Sequence, residues 1–184
     1  TSGDAIEVDW NTLEAATFAN PTPIPLNVSK AEDVLSFVLT GNLGNTKGTA
    51  IAELTSMLPS GATGYIIGAT AGNSGAPLGL HTGDQIRIED AANPAVAFGA
   101  VLSRPITSIV KTASFWNETE NTIGGSVNGS AVTSAANFNG NLSLSKISIG
   151  RYGIASSSHL YGSIRNVRIY STALSAGQLT ALTT

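Results

Sequence analysis

Apolar residues in this chain fall in short runs broken by Gly, Pro, Asn, Ser and Thr. The runs at residues 34–40 (VLSFVLT), 49–57 (TAIAELTSM), 65–69 (YIIGA), 77–81 (PLGLH), 95–102 (AVAFGAVL), 107–116 (TSIVKTASFW) and 144–150 (LSKISIG) are too short for lone helices. They are rich in branched and aromatic side chains, so each predicts a strand. In residues 85–89 (QIRIE), Ile86 and Ile88 share one face while Gln85, Arg87 and Glu89 share the other, the pattern of a half-buried antiparallel strand. Thr82-Gly83-Asp84 before it reads as a hairpin loop in which Gly83 takes the positive φ. Asn128-Gly129 predicts a type I′ turn, because both central residues of that turn need positive φ. A two-residue loop there sets Val127 against Ser130 and Gly125 against Val132, so that Val127 and Val132 meet diagonally on one face. About ten strands and one short helix result, which at this spacing predicts two antiparallel sheets packed as a sandwich.

Residues 160–182 (LYGSIRNVRIYSTALSAGQLTAL) combine a strand, a turn and the helix. Ser175 and Gln178 form a capping box, in which the Ser hydroxyl accepts from the N3 amide and the Gln side chain reaches back to the cap amide. Leu174 and Leu179 are spaced as a hydrophobic staple, and Leu182 continues the buried stripe one turn on. In the strand, Ile164 and Val167 are three apart, so a period of two cannot place both on one face. A β-bulge at Arg165 or Asn166 restores the match; a strand covered on both faces needs none.

Residues 1–30 are the least domain-like. Ala5, Ile6, Val8 and Trp10 alternate, and then Pro21, Pro23 and Pro25 each remove an amide donor, so TPIPL is no central strand. This part reads as an extended arm or edge segment that crosses a surface or a neighbouring subunit, or else as the first sandwich strand with a loop. Residues 31–184 read as the sandwich. The chain opens on Thr1 with no initiator Met, which suggests processing or an expression boundary.

Composition narrows the picture. A chain of 184 residues is one domain by length, and its 20 Gly and 7 Pro suit an all-β fold with many turns. Only 11% of residues are charged, which fits a surface that meets water through Ser, Thr and Asn, or meets neighbouring subunits. The net charge of -3 removes the attraction that would make nucleic acid a partner. Residues 1–100 hold 10 acidic and 3 basic side chains and residues 101–184 hold 2 acidic and 6 basic, but strands of both halves interleave in a sandwich, so a scatter is expected rather than a basic face. With no Cys there is neither a disulfide nor a Cys-ligated metal. No apolar run approaches a membrane span, so no membrane insertion is expected.

The run GSIRNVRIYSTALS, with Gly162, Ile164, Val167, Ile169, Tyr170, Ala173, Leu174 and Ser175, resembles the closing segment of laminin G-like, concanavalin A-like domains. GSVNGSAV at residues 125–132 is similar to their Asn-Gly hairpin, and LSKISIG at residues 144–150 to one of their strands. The ending ALSAGQLTALT looks most like the versions found in bacteriophage tail fibres and other virion surface proteins. The resemblance covers residues 107–184 well and the first hundred loosely. It implies a concanavalin A-like jelly-roll β-sandwich of two antiparallel sheets with a short C-terminal helix. It also implies a setting: a virion surface module, assembled in the host cytoplasm and then extracellular, whose partners are other virion subunits and host cell-surface carbohydrate. The low charge and the Pro-rich N-terminal segment add the expectation of a homo-oligomer.

Enzymatic work is not expected. Laminarinase-type glucanases of this fold carry an E-x-D-x-E strand whose carboxylates act as nucleophile and acid. The nearest approach here is Glu7-Val8-Asp9-Trp10-Asn11, with Asn in the second Glu position. Glu89 and Asp90 are adjacent and point to opposite faces, and His81 and His159 sit beside turns far apart in sequence. Laminin G-like domains often bind calcium, for which Asp84, Glu89 and Asp90 supply hard oxygens, although no spacing specifies a site and no cofactor is expected. Four N-x-S/T sequences, at Asn27, Asn117, Asn128 and Asn141, carry no assignment in so Asn-rich a chain. For carbohydrate, which stacks on aromatic faces and bonds to amides and guanidinium groups, the candidates are Trp116, Asn117, Arg151, Tyr152 and His159. The leading expectation is a non-enzymatic module for host glycan attachment. The rivals are a structural or decoration protein touching only virion subunits, a glycan-degrading enzyme, and a bacterial adhesin module.

Overall fold

The computed structural model describes residues 6–8, 36–38, 44–69, 75–90, 96–136, 138, 141–144, 146–152 and 158–184. Its strands in chain order are β1 (Ile6–Val8), β2 (Ser36–Val38), β3 (Lys47–Ser56), β4 (Gly64–Ala69), β5 (Ala76–Leu80), β6 (Ile86–Glu89), β7 (Val96–Phe98), β8 (Ile106–Asn117), β9 (Thr122–Val127), β10 (Thr133–Ala136), β11 (Lys146–Ile149) and β12 (Ile164–Tyr170). One helix, α1 (Ala176–Thr183), follows. The strands pair antiparallel into two sheets of six, ordered β1-β12-β3-β8-β9-β10 and β2-β11-β4-β5-β6-β7. Each is thus a five-stranded sheet extended by a three-residue edge strand, β1 or β2.

The period of two along the long strands explains the layering. Val110 and Trp116 on β8, with Ala50, Ala52 and Leu54 on β3, face the second sheet and meet Ile66, Ile67, Leu78, Leu80, Ile86 and Ile88 in the main core. The intervening Ile51, Ala113 and Phe115 point the other way and would be solvated, but Leu179 of α1 covers them. The capping box forms as expected: Ser175 Oγ accepts from the Gln178 N–H at 3.4 Å, and Gln178 Oε1 accepts from the Ser175 N–H at 2.9 Å. The bulge also forms, as a register shift between Arg165 and Arg168 with Asn166 at φ 50.

Several expectations change. Leu182 is 36% exposed, whereas Leu179 and Thr183 are buried, because positions four apart present one face to the sheet. Thr183 Oγ1 accepts from the Gly129 N–H at 3.1 Å and lies 3.0 Å from Ser126 Oγ, which ties the helix end to the β9–β10 turn. That turn has Asn128 and Gly129 at φ 48 and 71, but Gly125 opposes Thr133 and not Val132. One extra residue after Ser130 shifts the register, so Val127 enters the main core while Val132 packs on the helix side. In the β5–β6 loop the positive φ falls on Asp84, at 58, rather than on Gly83, since hydrogen bonds anchor the Asp84 side chain. Strand β6 is not half-buried, for Arg87 is only 8% exposed on the face opposite Ile86 and Ile88. Residues 95–102 are not one buried run: Gly99 at φ 74 ends β7 after the buried Phe98, and Val101 is exposed. Ile6–Val8 pairs with β12, while TPIPL and the rest of the expected arm lie outside the described residues.

Candidate binding site

At the end of β11 the chain turns at Gly150 (φ 80), whose N–H donates to Ile66 O at 2.9 Å. Ser148 Oγ then closes the turn by donating to Arg151 O at 2.8 Å. The chain returns as a strap, with Tyr65 N–H bonded to Ser158 O at 3.4 Å and Leu160 N–H to Gly150 O at 2.9 Å. It next runs along the end of β3, where Thr55 N–H donates to Ser163 O at 2.9 Å and Ser56 Oγ to Leu160 O at 2.9 Å. Only glycine fits at 162, because a Cβ there would lie 2.0 Å from Thr55 O. Turn and strap enclose a cleft of about 350 Å³, with Ile149, Gly150 and Arg151 on one side and His159 to Gly162 with Ile164 on the other.

Tyr161 stands at this cleft with its side chain 64% exposed and its backbone at φ 51. A bulky residue in the left-handed region is strained, and the hydrogen-bonded strap holds it there. His159 meets the Tyr161 ring edge-on, with centroids 5.8 Å apart. Beside the cleft, Tyr152 packs its ring 4.6 Å from that of Tyr65.

Tyr65 is part of a buried polar cluster on the outer face of the second sheet. Gly79 pairs with both Tyr65 and Arg87, and a Cβ on it would lie 3.3 Å from the Tyr65 ring, so the ring lies across this bare position. The Arg87 guanidinium sits 5.5 Å from the ring centroid and donates to Tyr65 Oη at 2.8 Å, and Tyr65 Oη donates to Glu89 Oε2 at 3.0 Å. Arg87 and Glu89 also form an ion pair. Burial, reinforced by the Glu89 charge, pushes the Tyr65 phenol up to about 12, so it remains a hydrogen-bond donor near neutrality. The cluster supports Tyr152 and is itself nearly closed to solvent.

The structure thus brings three expected binding residues together: His159 and Arg151, the latter only 7% exposed, line the cleft and Tyr152 adjoins it. It excludes Trp116, which is 0% exposed and donates its indole N–H to Gly44 O at 3.0 Å; the ring is core, and no sugar reaches its face. It also separates Asn117, which pairs with Lys47 at the opposite end of β3 from Ser56, about 30 Å away at 3.3 Å per residue. Asn117 Oδ1 accepts from the Thr119 N–H at 3.1 Å and shapes the β8–β9 turn. Tyr161 and Tyr65 escape the sequence reading, although the Tyr161-Gly162 pair marks a chain break before β12 that assigns Tyr161 to a loop.

The carboxylates proposed for calcium do not converge. Asp84 accepts from the Ser60 hydroxyl and from the Gly61 N–H at 3.0 Å and lies 2.9 Å from Arg104 Nε, while Glu89 is held by Arg87 and Tyr65. Among the described residues no three His, Cys, Asp or Glu side chains gather as a metal site. Among the described residues His81 accepts at Nδ1 from the Gly83 N–H at 3.4 Å, and burial foremost, and then Arg87, hold its imidazole below the ordinary range. The side chains of residues 7–11, which carry the nearest match to a hydrolase strand, lie outside the described residues. No described helix is long and apolar enough to cross a membrane.

No protein-family profile and no curated protein sequence matches the chain. Solved structures do. The CBM40 of the Ruminococcus gnavus IT-sialidase, bound to α2,6-sialyllactose, superposes with a TM-score of 0.65 at 10% identity over 100% of both chains. The same module bound to α2,3-sialyllactose gives 0.61 at 13% identity over 76% of this chain and 83% of that one. The heptameric SAP-like pentraxin of Limulus polyphemus gives 0.58 at 13% identity, covering 76% of this chain and 70% of that one. A Trypanosoma rangeli sialidase gives 0.56 at 18% identity, with 75% of this chain matching 22% of that chain. At such identities the likeness establishes the fold: a concanavalin-like jelly-roll sandwich of antiparallel sheets with one short C-terminal helix.

Proposed function

We propose that this chain is a non-enzymatic carbohydrate-binding module, carried on a virion surface for attachment to host glycans. The observation that carries the binding reading is Tyr161, an exposed aromatic ring held in a strained backbone conformation at a cleft whose other polar side chains are Arg151 and His159. Sugar rings bury their C–H faces on such rings, while guanidinium, imidazole and backbone groups take the hydroxyls. Two of the structural neighbours are CBM40 modules in complex with sialyllactose, which supports a glycan ligand without fixing which one. Most glycoside hydrolases work with two carboxylates flanking the scissile bond. Among the described residues the cleft lining holds no carboxylate, and Glu53, Asp84 and Glu89 are each engaged by an arginine, which favours binding over turnover.

The virion setting and the homo-oligomeric state rest on the resemblance of residues 107–184 to phage tail-fibre domains and on the low charge of the chain. Glycan arrays and whole host cells test the reading. The intact protein binds, and Tyr161→Ala abolishes binding without lowering the melting temperature. A correctly assembled protein that binds neither array nor cells overturns the reading in favour of a decoration protein. Progressive shortening of a host polysaccharide overturns it in favour of an enzyme.

A further inference from the structure

Met57 is the single methionine of the chain and its most exposed large apolar side chain among the described residues, at 69%. It directly follows β3, and its N–H donates to Tyr161 O at 2.8 Å. Met57 and the 64% exposed Tyr161 are therefore two large apolar side chains on directly hydrogen-bonded residues, of which Tyr161 lines the cleft.

Neither exposure arises from a loose loop. Ser56 before Met57 is fully buried and donates to Leu160 O, and the next residue, Leu58, is buried with its N–H bonded to Ser56 Oγ at 3.2 Å. On the partner strand, Gly162 is pressed against Thr55 O. The backbone is thus fixed on both sides of each exposed side chain. Single exposed apolar residues need no explanation, but two on directly hydrogen-bonded residues leave unburied surface that the fold does not use.

We propose that Met57 is the outer wall of the glycan site and that the ligand is an oligosaccharide, one ring of which enters the cleft against Tyr161 while a following ring lays its C–H face on the Met57 thioether. This rests on the carbohydrate-binding reading of the cleft. At about 350 Å³ the cleft lies at the small end of ligand sites, so a chain of several sugars must leave it across the rim. A flexible, polarisable thioether suits that place, because it conforms to a ring face without imposing hydrogen-bond geometry. Met57 is then a specificity residue for chain length.

The test is calorimetric titration of the full chain and of Met57→Gln, Met57→Leu and Tyr161→Ala. The probes are cellotetraose, maltotetraose and α2,6-sialyllactose, each beside its constituent monosaccharides. Met57→Gln weakens the oligosaccharide that the wild type binds by about three- to tenfold, as expected for one lost apolar contact. It leaves monosaccharide binding and the melting temperature unchanged, and Met57→Leu restores most of the affinity. Unchanged oligosaccharide affinity in Met57→Gln, with binding lost in Tyr161→Ala, overturns this inference and leaves the binding reading standing. A change of sedimentation coefficient in Met57→Gln without a change of affinity also overturns it, and assigns the rim to a contact between copies. A wild type that binds none of the probes overturns the inference; failure on arrays and cells as well removes the binding reading with it.

Discussion

Trp116 and Tyr161 are both large aromatic residues next to a turn-forming neighbour, Asn117 and Gly162, yet one is wholly buried and the other 64% exposed. The difference lies in parity: Trp116 falls in phase with Val110 on the inner face of β8, while Tyr161 precedes β12 in a strap. Trp116→Ala should cost about 3–5 kcal/mol in urea denaturation, the range for deleting a large core aromatic, whereas Tyr161→Ala should leave stability unchanged. Asp84 sets a second test. Hydrogen bonds from the Ser60 hydroxyl and then the Gly61 N–H, with the Arg104 charge, hold its carboxyl below the ordinary range. Its contribution to stability is therefore fully present above the unfolded value of about 3.9 and is lost as the pH falls through the lower folded value. Thermal melts should show Asp84→Asn less stable than wild type at pH 7, with the gap closing as the pH drops below about 4. A constant gap would show that the carboxyl's charge plays no part in anchoring the loop.

At the scale of elements, α1 lets local and tertiary determinants be separated. Its start is local: the Ser175–Gln178 capping box needs only four consecutive residues, and Ser175→Ala should cost about 1 kcal/mol. Its facing is not, since Leu179 and Thr183 meet the sheet and Leu182 does not. Leu179→Ala should cost about 2–5 kcal/mol and Leu182→Ala at most about 0.5 kcal/mol, both read from denaturant midpoints. Equal costs would mean that the helix rotates on the sheet. The β12 bulge was legible because Ile164 and Val167 break a period of two. The shifted β9–β10 register was not, because Val127 and Val132 are equally apolar and only the helix beyond the sheet gives Val132 a second place to bury.

At the scale of the molecule, the proposed carbohydrate-binding reading rests on a cleft of only about 350 Å³, which makes for weak binding. A hydrogen bond that exchanges water for protein gains only about 1 kcal/mol, so useful adhesion depends on copies acting together. Surface plasmon resonance should therefore show weak, fast binding by a monomeric form. An assembled multimer should gain about 10²- to 10⁴-fold in apparent affinity on a dense glycan surface. Equal affinities for the two forms would mean that attachment does not use valency.

The sequence by itself determined the strands, the Asn128-Gly129 turn, the bulge and the helix cap, because each depends on residues close together in the chain. It also located Arg151, Tyr152 and His159 in one segment, of which Arg151 and His159 line the cleft and Tyr152 adjoins it. Tertiary structure alone decided which aromatic rings reach solvent, since burial depends on what the opposing sheet covers. It placed Asn117 at the far end of β3, and it drew Asp84 and Glu89 apart onto different arginines. It also set Met57 beside Tyr161 across 104 residues of chain, a proximity that no local pattern encodes because it arises where a strap returning from one sheet is stitched to the end of a strand in the other.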